Sequence, residues 1–276
     1  MPDTKKRIGI IGFGNMGKAI ALGARTLFEV SVFDKDKEKL ADCQGLKAQT
    51  QVADLINSSD CIILAVKPQD IESVLKEIKA NYKEQLIISI AAGITTKYII
   101  RQLTEKARVI RIMPNMPAQI NQGVSFLYKH ESATEKDLNL AWQLFSCVGF
   151  VMVVSDEKMI NAATAVSGSG PAFFCYYIKE KANVTLKRKE FIQMLTDAAV
   201  GLGFDQQEAK VISEKTIDGT IAILEKNNLT PEKLIKMVAS KGGTTEAGLA
   251  VLVKGGSIEE AVKAALLRAE ELGKGN

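Results

Sequence analysis

A glycine-rich hexapeptide near the amino terminus constrains the fold of this chain more than any other feature. The pattern G-x-G-x-x-G at residues 12–17 directly follows an apolar, β-branched run at residues 7–11, which predicts a short buried strand. A helical pattern comes next, and a second apolar run, at residues 30–33, ends at Asp34. This order of strand, glycine-rich turn, helix, strand and acid is typical of a dinucleotide-binding βαβ unit.

Each glycine of the motif has its own physical task. Gly12 allows the tight turn, Gly14 lets a pyrophosphate approach the backbone, and Gly17 lets the helix pack closely on the strand. The amino terminus of the helix then faces the pyrophosphate, and Asp34 has the position of an acid that binds ribose hydroxyls. The alternative is a glycine-rich turn that binds nothing, and the flanking strands and helix argue against it.

The identity of the dinucleotide stays open at this point. Asp34 favours NAD because a carboxylate repels the 2′-phosphate of NADP. Lys35 and Lys37 suit that phosphate, or they lie on the solvated first turn of the next helix.

The strand–helix alternation continues through the first half of the chain. Apolar runs at residues 61–66, 86–90 and 109–113 predict further strands, and their lack of polar alternation suits a parallel sheet covered on both faces. Ligands of such sheets bind beyond the carboxyl ends of the strands. That rule predicts one rim, made of residues 12–17, 65–68, 91–93 and 114–117. The cofactor-binding candidates are Ile11, Gly12, Phe13, Gly14, Asn15, Met16, Gly17, Asp34, Lys35, Ala65, Val66, Lys67, Pro68, Ala91 and Ala92. Each rim segment taken alone also reads as a strand-ending turn.

A change of periodicity divides the chain. Two more strands, at 124–128 and 150–154, flank a helix, and helical patterns alone follow. We therefore predict a dinucleotide-binding domain at residues 1–156 and an all-helical domain at residues 157–276. Between them, the sequence V-S-G-S-G-P-A at 166–172 predicts a sharp turn, because two glycines and a proline in five residues disfavour a helix. It is either a linker or a junction where two domains meet around a ligand.

Two apolar stripes at helical spacing mark the second half. They consist of Phe191, Met194, Leu195, Ala198, Ala199 and Leu202, and of Ile258, Ala261, Val262, Ala265, Ala269 and Leu272. The stripes pack against the first domain or against another subunit, and we favour a dimer whose helices share one core. Residues 179–190 form a charged interruption, read as a solvated helix extension or a loop.

A second glycine loop, S-K-G-G-T-T-E-A-G-L at 240–249, separates a helix predicted from about residue 231 from one predicted from about residue 246. Two glycines expose backbone N–H groups, and the hydroxyls of Thr244 and Thr245 stand at a helix amino terminus. This arrangement suits an anion such as a carboxylate. Ordinary capping by either threonine is an equal alternative.

Composition excludes several classes of protein. The net charge of +4 comes from scattered lysines, without the dense basic block of a nucleic-acid partner. Four widely spaced cysteines predict neither a metal site nor a disulfide scaffold. No apolar run approaches the ~20 residues that span a membrane, and the polar amino terminus lacks a signal peptide's apolar core. We expect a soluble cytoplasmic protein. Its one histidine, His130, lies in a polar stretch and is expected at the surface, which disfavours histidine-driven alcohol dehydrogenation.

Six motifs together resemble pyrroline-5-carboxylate reductase over nearly the whole chain. They are I-G-F-G-N-M-G at 11–17, A-V-K-P at 65–68, S-I-A-A-G at 89–93, M-P-N-M-P at 113–117, V-S-G-S-G-P-A at 166–172 and G-G-T-T-E-A-G at 242–248. The last two are the most specific. The resemblance implies a Rossmann-type NAD(P)H domain, a helical dimerisation domain, an active site between them, and homodimers or larger assemblies of dimers. The implied reaction is hydride transfer from NADH or NADPH to the C=N bond of 1-pyrroline-5-carboxylate, which yields L-proline.

The resemblance also implies residue roles. Ser240, Gly243, Thr244 and Thr245 correspond to the loop that holds the substrate carboxylate, and Thr245 is placed to hydrogen-bond the ring nitrogen. Ser169 and Gly170, in the motif at 166–172, are further substrate-binding candidates.

The chain departs from the family pattern at three places. Lys241 stands where the family usually has proline, Met116 stands where it has threonine, and the charged stretch at 179–190 looks like an insertion. Two rival functions remain. One is a non-catalytic NAD(P)-binding regulator, and the other is a two-domain reductase of the β-hydroxyacid dehydrogenase type, which needs a catalytic lysine in its helical domain.

Overall fold

A computed structural model describes residues 5–41, 43, 45–178 and 184–274. Its first half contains one eight-stranded sheet. The strands are β1 (Arg7–Ile11), β2 (Glu29–Phe33), β3 (Lys47–Ala48), β4 (Cys61–Leu64), β5 (Leu86–Ser89), β6 (Val109–Pro114), β7 (Gly123–Lys129) and β8 (Gly149–Val154).

The strands lie in the order β3-β2-β1-β4-β5-β6-β7-β8. All neighbours run parallel except β6 and β7, which pair antiparallel with Ile112 opposite Leu127. The parallel sheet expected from the runs that form β1, β4, β5 and β6 is confirmed, and the antiparallel pair involves β7, which that expectation did not cover. Only the eight residues between Pro114 and Gly123 join these strands, and a connection so short favours an antiparallel neighbour over a crossover.

Thirteen helices are found in the described residues. They are α1 (Asn15–Ala24), α2 (Lys37–Leu40), α3 (Val52–Asn57), α4 (Ile71–Asn81), α5 (Thr96–Leu103), α6 (Glu135–Ser146), α7 (Lys158–Ala163), α8 (Gly170–Ile178), α9 (Val184–Gly201), α10 (Gln206–Lys226), α11 (Pro231–Val238), α12 (Thr244–Val253) and α13 (Ile258–Lys274). Short 3₁₀ turns cover Pro68–Asp70 and Met116–Ile120.

Apolar side chains cover the parallel sheet on both faces. Ile8 and Ile10 of β1 pack with α1 and α6 on one face, whereas Ile11 and Leu64 pack with α3, α4 and α5 on the other. Strands buried on two sides need continuous apolar sequence, and this is why runs without alternation fold here as parallel strands. The Rossmann-type architecture expected from the sequence is confirmed.

The segment at 166–172 folds differently from the sequence prediction. It continues α7 as a π-helical turn over Thr164–Gly168, and α8 begins at Gly170. The wider turn is closed by the N–H of Ser169, which donates to the carbonyl of Thr164 at 3.0 Å. Pro171 has no N–H for the carbonyl of Ser167, and the side-chain Nδ2 of Asn115 donates to that oxygen instead, at 3.3 Å. The predicted sharp turn is therefore wrong, because an outside donor replaces the hydrogen bond that proline removes.

The helical half packs against the sheet within the same chain. The stripes of α9 and α13 share a core cluster with Val124 and Phe126 of β7. The rings of Phe126 and Phe204 lie 5.7 Å apart, and those of Phe174 and Phe191 lie 5.3 Å apart. Other helices of the helical half cover most of both stripes, chiefly α10 over the stripe of α9 and α12 over the stripe of α13.

The charged stretch at 179–190 is only partly described. Residues 179–183 lie outside the described residues, and residues 184–190 belong to the first turns of α9. In the part of the chain that the structure describes, no helix is both long and apolar enough to cross a bilayer.

Candidate active site

The glycine-rich turn joins β1 to α1 in the conformation that its sequence requires. Gly12 has φ +101°, and a β-carbon there would lie 2.5 Å from the carbonyl oxygen of Ala65. A β-carbon on Gly17 would lie 2.0 Å from the carbonyl oxygen of Gly12, whereas one on Gly14 would meet no atom within 4 Å. The turn thus leaves open space at Gly14, on the side where a pyrophosphate must approach. These residues fit a dinucleotide.

A cavity of ≈ 440 Å³ lies beside this turn. It brings together eight of the cofactor candidates. They are Ile11, Gly12, Gly14, Asp34, Lys35, Ala65, Val66 and Lys67. The remaining candidates, which do not line it, are Phe13, Asn15, Met16, Gly17, Pro68, Ala91 and Ala92.

Asp34 is buried at the end of β2 and holds the glycine turn in place. Its Oδ2 accepts the N–H of Phe13 at 2.7 Å, and its Oδ1 accepts the N–H of Asp36 at 2.9 Å. Burial raises the pKa of Asp34, but the hydrogen bonds from Asp36, Phe13 and Lys39 outweigh it and leave that pKa below its ordinary value. The side chain is therefore a carboxylate at neutral pH.

Two of the three lysines that line this cavity, Lys35 and Lys39, have carboxylate partners. Lys35 forms an ion pair with Asp70 at 2.7 Å, and Lys39 lies 3.3 Å from Oδ1 of Asp34. Lys37, which the sequence suggested as a phosphate ligand, does not line the cavity. Lys39 and Asp70 were missed, although the position of Lys39 on the short helix that follows Asp34 was an available signal.

Three hydroxyl groups meet where the helical half contacts the end of β6. Thr245 Oγ1 donates to Ser169 Oγ at 3.1 Å, and Ser169 Oγ lies 3.3 Å from Thr244 Oγ1. Ser169 and Thr245 are buried, with Thr245 5% exposed. The fold thus joins the two motifs in which substrate-binding residues were predicted, through residues that lie 76 positions apart in the sequence. Gly170 is buried beside them, where its missing side chain lets Leu195 and Thr216 approach.

The loop that precedes α12 is organised by its glycines. Gly242 has φ +69°, and a β-carbon on Gly243 would lie 2.3 Å from Ser240 Oγ. Both glycine N–H groups are used internally, because Gly243 donates to the carbonyl of Ser240 and Gly242 donates to the carboxylate of Glu246. The prediction that these two groups face an anion is therefore wrong.

Threonine capping of α12 is not observed either. The helix begins at Thr244, two residues earlier than predicted, with Gly243 as its N-cap and no side-chain cap. The first-turn N–H groups of such a helix lack partners inside the helix. These groups and the nearby hydroxyls retain the character of an anion site.

A buried hydrogen-bond chain ties the segment just before Ser169 to the sheet. Asn115, 3% exposed, accepts the N–H of Val124 at 2.7 Å and donates to Ser167 Oγ at 3.1 Å. Ser167 Oγ also accepts the hydroxyl of Thr216 on α10 at 3.2 Å. Asn115 belongs to a motif that the sequence analysis singled out, but its part in this chain became visible only in three dimensions.

The cofactor cavity and the hydroxyl cluster lie at the same edge of the sheet. The cavity is at the carboxyl ends of β1 and β4, and Asn115 directly follows β6, which is parallel to them. Three strand spacings separate β1 from β6, or about 14 Å. An extended dinucleotide held at the glycine turn would have to follow this edge to bring its far end near the hydroxyl cluster.

The remaining rim segment and the histidine lie apart from the cavity. Gly93, in the loop after β5, packs against the end of α13, where a β-carbon would lie 3.1 Å from the carbonyl oxygen of Leu272. His130 is half-buried and bonds to Ser132 through Nδ1 at 2.9 Å.

The doubly wound sheet, its glycine turn and the attached helical half define an NAD(P)-dependent oxidoreductase. Two family models match the chain. One, described as NADP oxidoreductase, coenzyme F420-dependent, matches residues 7–93, and the other, described as pyrroline-5-carboxylate reductase dimerisation, matches residues 189–272.

Individual relatives agree over the full length. A pyrroline-5-carboxylate reductase of Methanosarcina acetivorans is 34% identical over 278 residues, covering 98% of this chain and 97% of the relative. The structure of a pyrroline-5-carboxylate reductase from Coxiella burnetii has a TM-score of 0.66 at 30% identity, covering 98% and 99% of the two chains. The pyrroline carboxylate reductase of Plasmodium falciparum, solved with NADP bound, has a TM-score of 0.64 at 26% identity and covers 99% of both. This chain belongs to the pyrroline-5-carboxylate reductase family.

Proposed function

We propose that this chain reduces 1-pyrroline-5-carboxylate to L-proline, the last step of proline biosynthesis. The observation that carries the proposal is the buried contact between Thr245 and Ser169 at the carboxyl edge of a dinucleotide-binding sheet. NAD(P)H supplies the hydride when it is bound. The hydride adds to the carbon of the cyclic C=N bond, and the π electrons become the lone pair of the ring nitrogen.

Thr245 orients the ring nitrogen during this transfer. The imine nitrogen is basic and carries its own proton, so the reaction needs positioning more than a strong acid. The hydroxyl of Thr245 donates a hydrogen bond to Ser169 Oγ, and the lone pairs of the Thr245 oxygen stay available as acceptors. Its oxygen therefore accepts the N–H of the protonated ring, and Ser169 acts by fixing the direction of the Thr245 hydroxyl.

Ser240, Gly243 and Thr244 surround the substrate carboxylate in this proposal. The uncapped amino terminus of α12 supports the assignment, because its N–H groups and the positive end of the helix dipole favour an anion. The carboxylate and the ring nitrogen are then held by neighbouring residues of one helix turn.

The test is steady-state turnover with 1-pyrroline-5-carboxylate and NADH or NADPH. We expect turnover by the wild-type chain and a kcat about tenfold to a hundredfold lower in Thr245→Val, the range for one hydrogen bond to a charged group. The cofactor Kd should not change. Thr245→Ser, which keeps the hydroxyl, is the matched control and should retain most of the activity. Absence of wild-type turnover in a folded, cofactor-binding protein would overturn the function, and an unchanged kcat in Thr245→Val would remove Thr245 from the mechanism.

We infer that the protein works as a homodimer or a larger assembly of dimers. The match of residues 189–272 to a dimerisation model supports this, as do apolar side chains that the helical half leaves in solvent. Leu186 is 64% exposed, Val253 69% and Leu267 60%, and surface of this kind is typical of an interface. Sedimentation equilibrium should give a mass of at least twice the chain mass, and the chain mass alone would contradict the inference.

A cytoplasmic location is also part of the proposal. The four cysteines are all free thiols, which suits a reducing compartment.

A further inference from the structure

The loop that precedes α12 is held by two charged side chains from different helices. Glu246, in the first turn of α12, accepts the N–H of Gly242 through Oε2 at 2.6 Å. Arg268, in the middle of α13, donates from Nε to the carbonyl of Gly242 at 2.7 Å. Both backbone polar groups of Gly242, its N–H and its carbonyl, are therefore hydrogen-bonded to charged side chains.

Gly242 has a backbone that its own residue type restricts little. Gly242 occupies the left-handed region at φ +69°, and glycine has no side chain to hold a single conformation. Its neighbour Lys241 is exposed and does not restrict φ as a proline would. The conformation of the loop therefore depends on contacts from outside it.

Arg268 is itself held in position. Its Nη1 donates to Glu271 Oε2 one turn further along α13, at 2.8 Å. The planar guanidinium thus donates to Glu271 from Nη1 and to the loop from Nε. An ammonium group does not reproduce this geometry. Charge-assisted hydrogen bonds of this length are the stronger class in proteins.

We propose that Arg268 and Glu246 are positioning residues for substrate binding, which lock the loop at 240–243 in the conformation that receives the substrate carboxylate. Neither residue needs to touch the substrate. Ser240 and Gly243 flank Gly242, so a shift at Gly242 moves both ends of the proposed carboxylate site. The proposal rests on the function proposed above.

The test compares substrate affinity with cofactor affinity in matched variants. Arg268→Met keeps the unbranched side chain as far as the position of Nε and removes the guanidinium donors. We expect it to raise the KM for 1-pyrroline-5-carboxylate and the Kd of L-proline, measured by calorimetry, by about tenfold, the equivalent of one such hydrogen bond. The kcat at saturation, the Kd of NADH and the Tm should stay near wild type. Lys263→Met removes the exposed partner of Glu259 on the same helix and should change none of these quantities.

Glu246 provides an independent arm on another helix. Glu246→Gln keeps an oxygen for the N–H of Gly242 and should bind L-proline almost as the wild type does, whereas Glu246→Ala should resemble Arg268→Met. Because both side chains hold one residue, the double variant should be less impaired than the product of the two single effects predicts. The Glu246 variants also test the proposal if Arg268→Met does not fold.

The outcomes separate the two proposals. A wild-type chain that neither turns over pyrroline-5-carboxylate nor binds L-proline contradicts the proposed function. A wild-type chain that does both, with unchanged L-proline binding in Arg268→Met and Glu246→Ala, overturns the role of the two positioning residues. If those variants lost cofactor affinity and thermal stability together with L-proline affinity, the two residues would have a general structural role. That result would also overturn the proposal.

Discussion

Asp34 has two roles at the scale of one residue. Its carboxylate accepts the N–H of Phe13 and so fixes the glycine turn, and the same carboxylate lines the cofactor cavity. Lys35 and Lys39, the cations nearest to it, are paired with Asp70 and with Asp34 itself. An incoming 2′-phosphate would meet a carboxylate whose neighbouring lysines, Lys35 and Lys39, are already paired. We therefore expect NADH to be preferred over NADPH.

The prediction is that NADH binds at least about tenfold more tightly than NADPH, a difference of about 1.4 kcal/mol. Asp34→Asn should narrow this ratio, because it removes the repulsive charge and keeps an oxygen for the N–H of Phe13. Fluorescence titration of both cofactors measures the ratio directly. Asp36→Asn is the matched control, since Asp36 lies two residues away and does not line the cavity. Tighter binding of NADPH by the wild-type chain would contradict the expectation.

At the scale of elements, the junction of β1 with α1 depends on two glycines that differ in their surroundings. A side chain on Gly17 would collide with the backbone of Gly12, whereas a side chain on Gly14 would enter open space. A backbone oxygen cannot move aside as the end of a long side chain can. The two positions should therefore respond differently to the same added methyl group.

We predict that Gly17→Ala lowers both stability and cofactor affinity, with a cost of about 1–3 kcal/mol in unfolding free energy from overpacking. Gly14→Ala should weaken NADH binding alone, because its methyl group fills the space that the pyrophosphate needs. Thermal unfolding and NADH titration distinguish the two variants. Gly201→Ala, another glycine with open space around its missing side chain, should neither lower the Tm nor weaken NADH binding. Equal stability of the Gly17 and Gly14 variants would contradict the packing argument.

At the scale of the whole molecule, a buried ion pair joins the sheet to the helical half. Arg111 of β6 is buried and donates to Glu157, just before α7, at 3.3 Å, and to Asn161 at 3.1 Å. Glu157 also accepts the N–H and the hydroxyl of Thr96 at the start of α5. Burial lowers the pKa of Arg111, and Glu157 opposes this effect. One carboxylate thus connects a strand, a helix of the sheet domain and the first helix of the other half.

Glu157→Gln should leave Arg111 buried without its counter-charge and lower the free energy of unfolding by about 3 kcal/mol. The double variant Arg111→Met, Glu157→Gln should lose less, because no unpaired charge is left in the interior. Denaturant unfolding at fixed protein concentration measures both, since the stability of an oligomer depends on concentration. Lys76→Met, which breaks an exposed pair with Glu72, should leave the unfolding midpoint unchanged. A double variant less stable than Glu157→Gln would contradict this account.

Local sequence patterns predicted most of the fold for identifiable reasons. The strand at 7–11 agrees with the structure at both ends, because an apolar β-branched run and a closing glycine turn are both local signals. The prediction of a turn at 166–172 was wrong because the helix penalties of proline and glycine assume that backbone groups form their hydrogen bonds within the helix. The side chain of Asn115, 52 positions away from Ser167, supplied the missing donor.

The sequence by itself determined the dinucleotide-binding unit and the change to helices after the sheet. It also identified the two motifs whose side-chain hydroxyls form the proposed substrate site. Their chemistry is encoded in residue types at short spacing. The tertiary structure alone decided that Ser169 and Thr245 share a hydrogen bond and that Lys39, not Lys37, approaches Asp34. It also decided that Arg268 and Glu246 both hydrogen-bond to Gly242. These contacts join residues up to 76 positions apart, or select one of several similar side chains, and both depend on how the helices pack on the sheet.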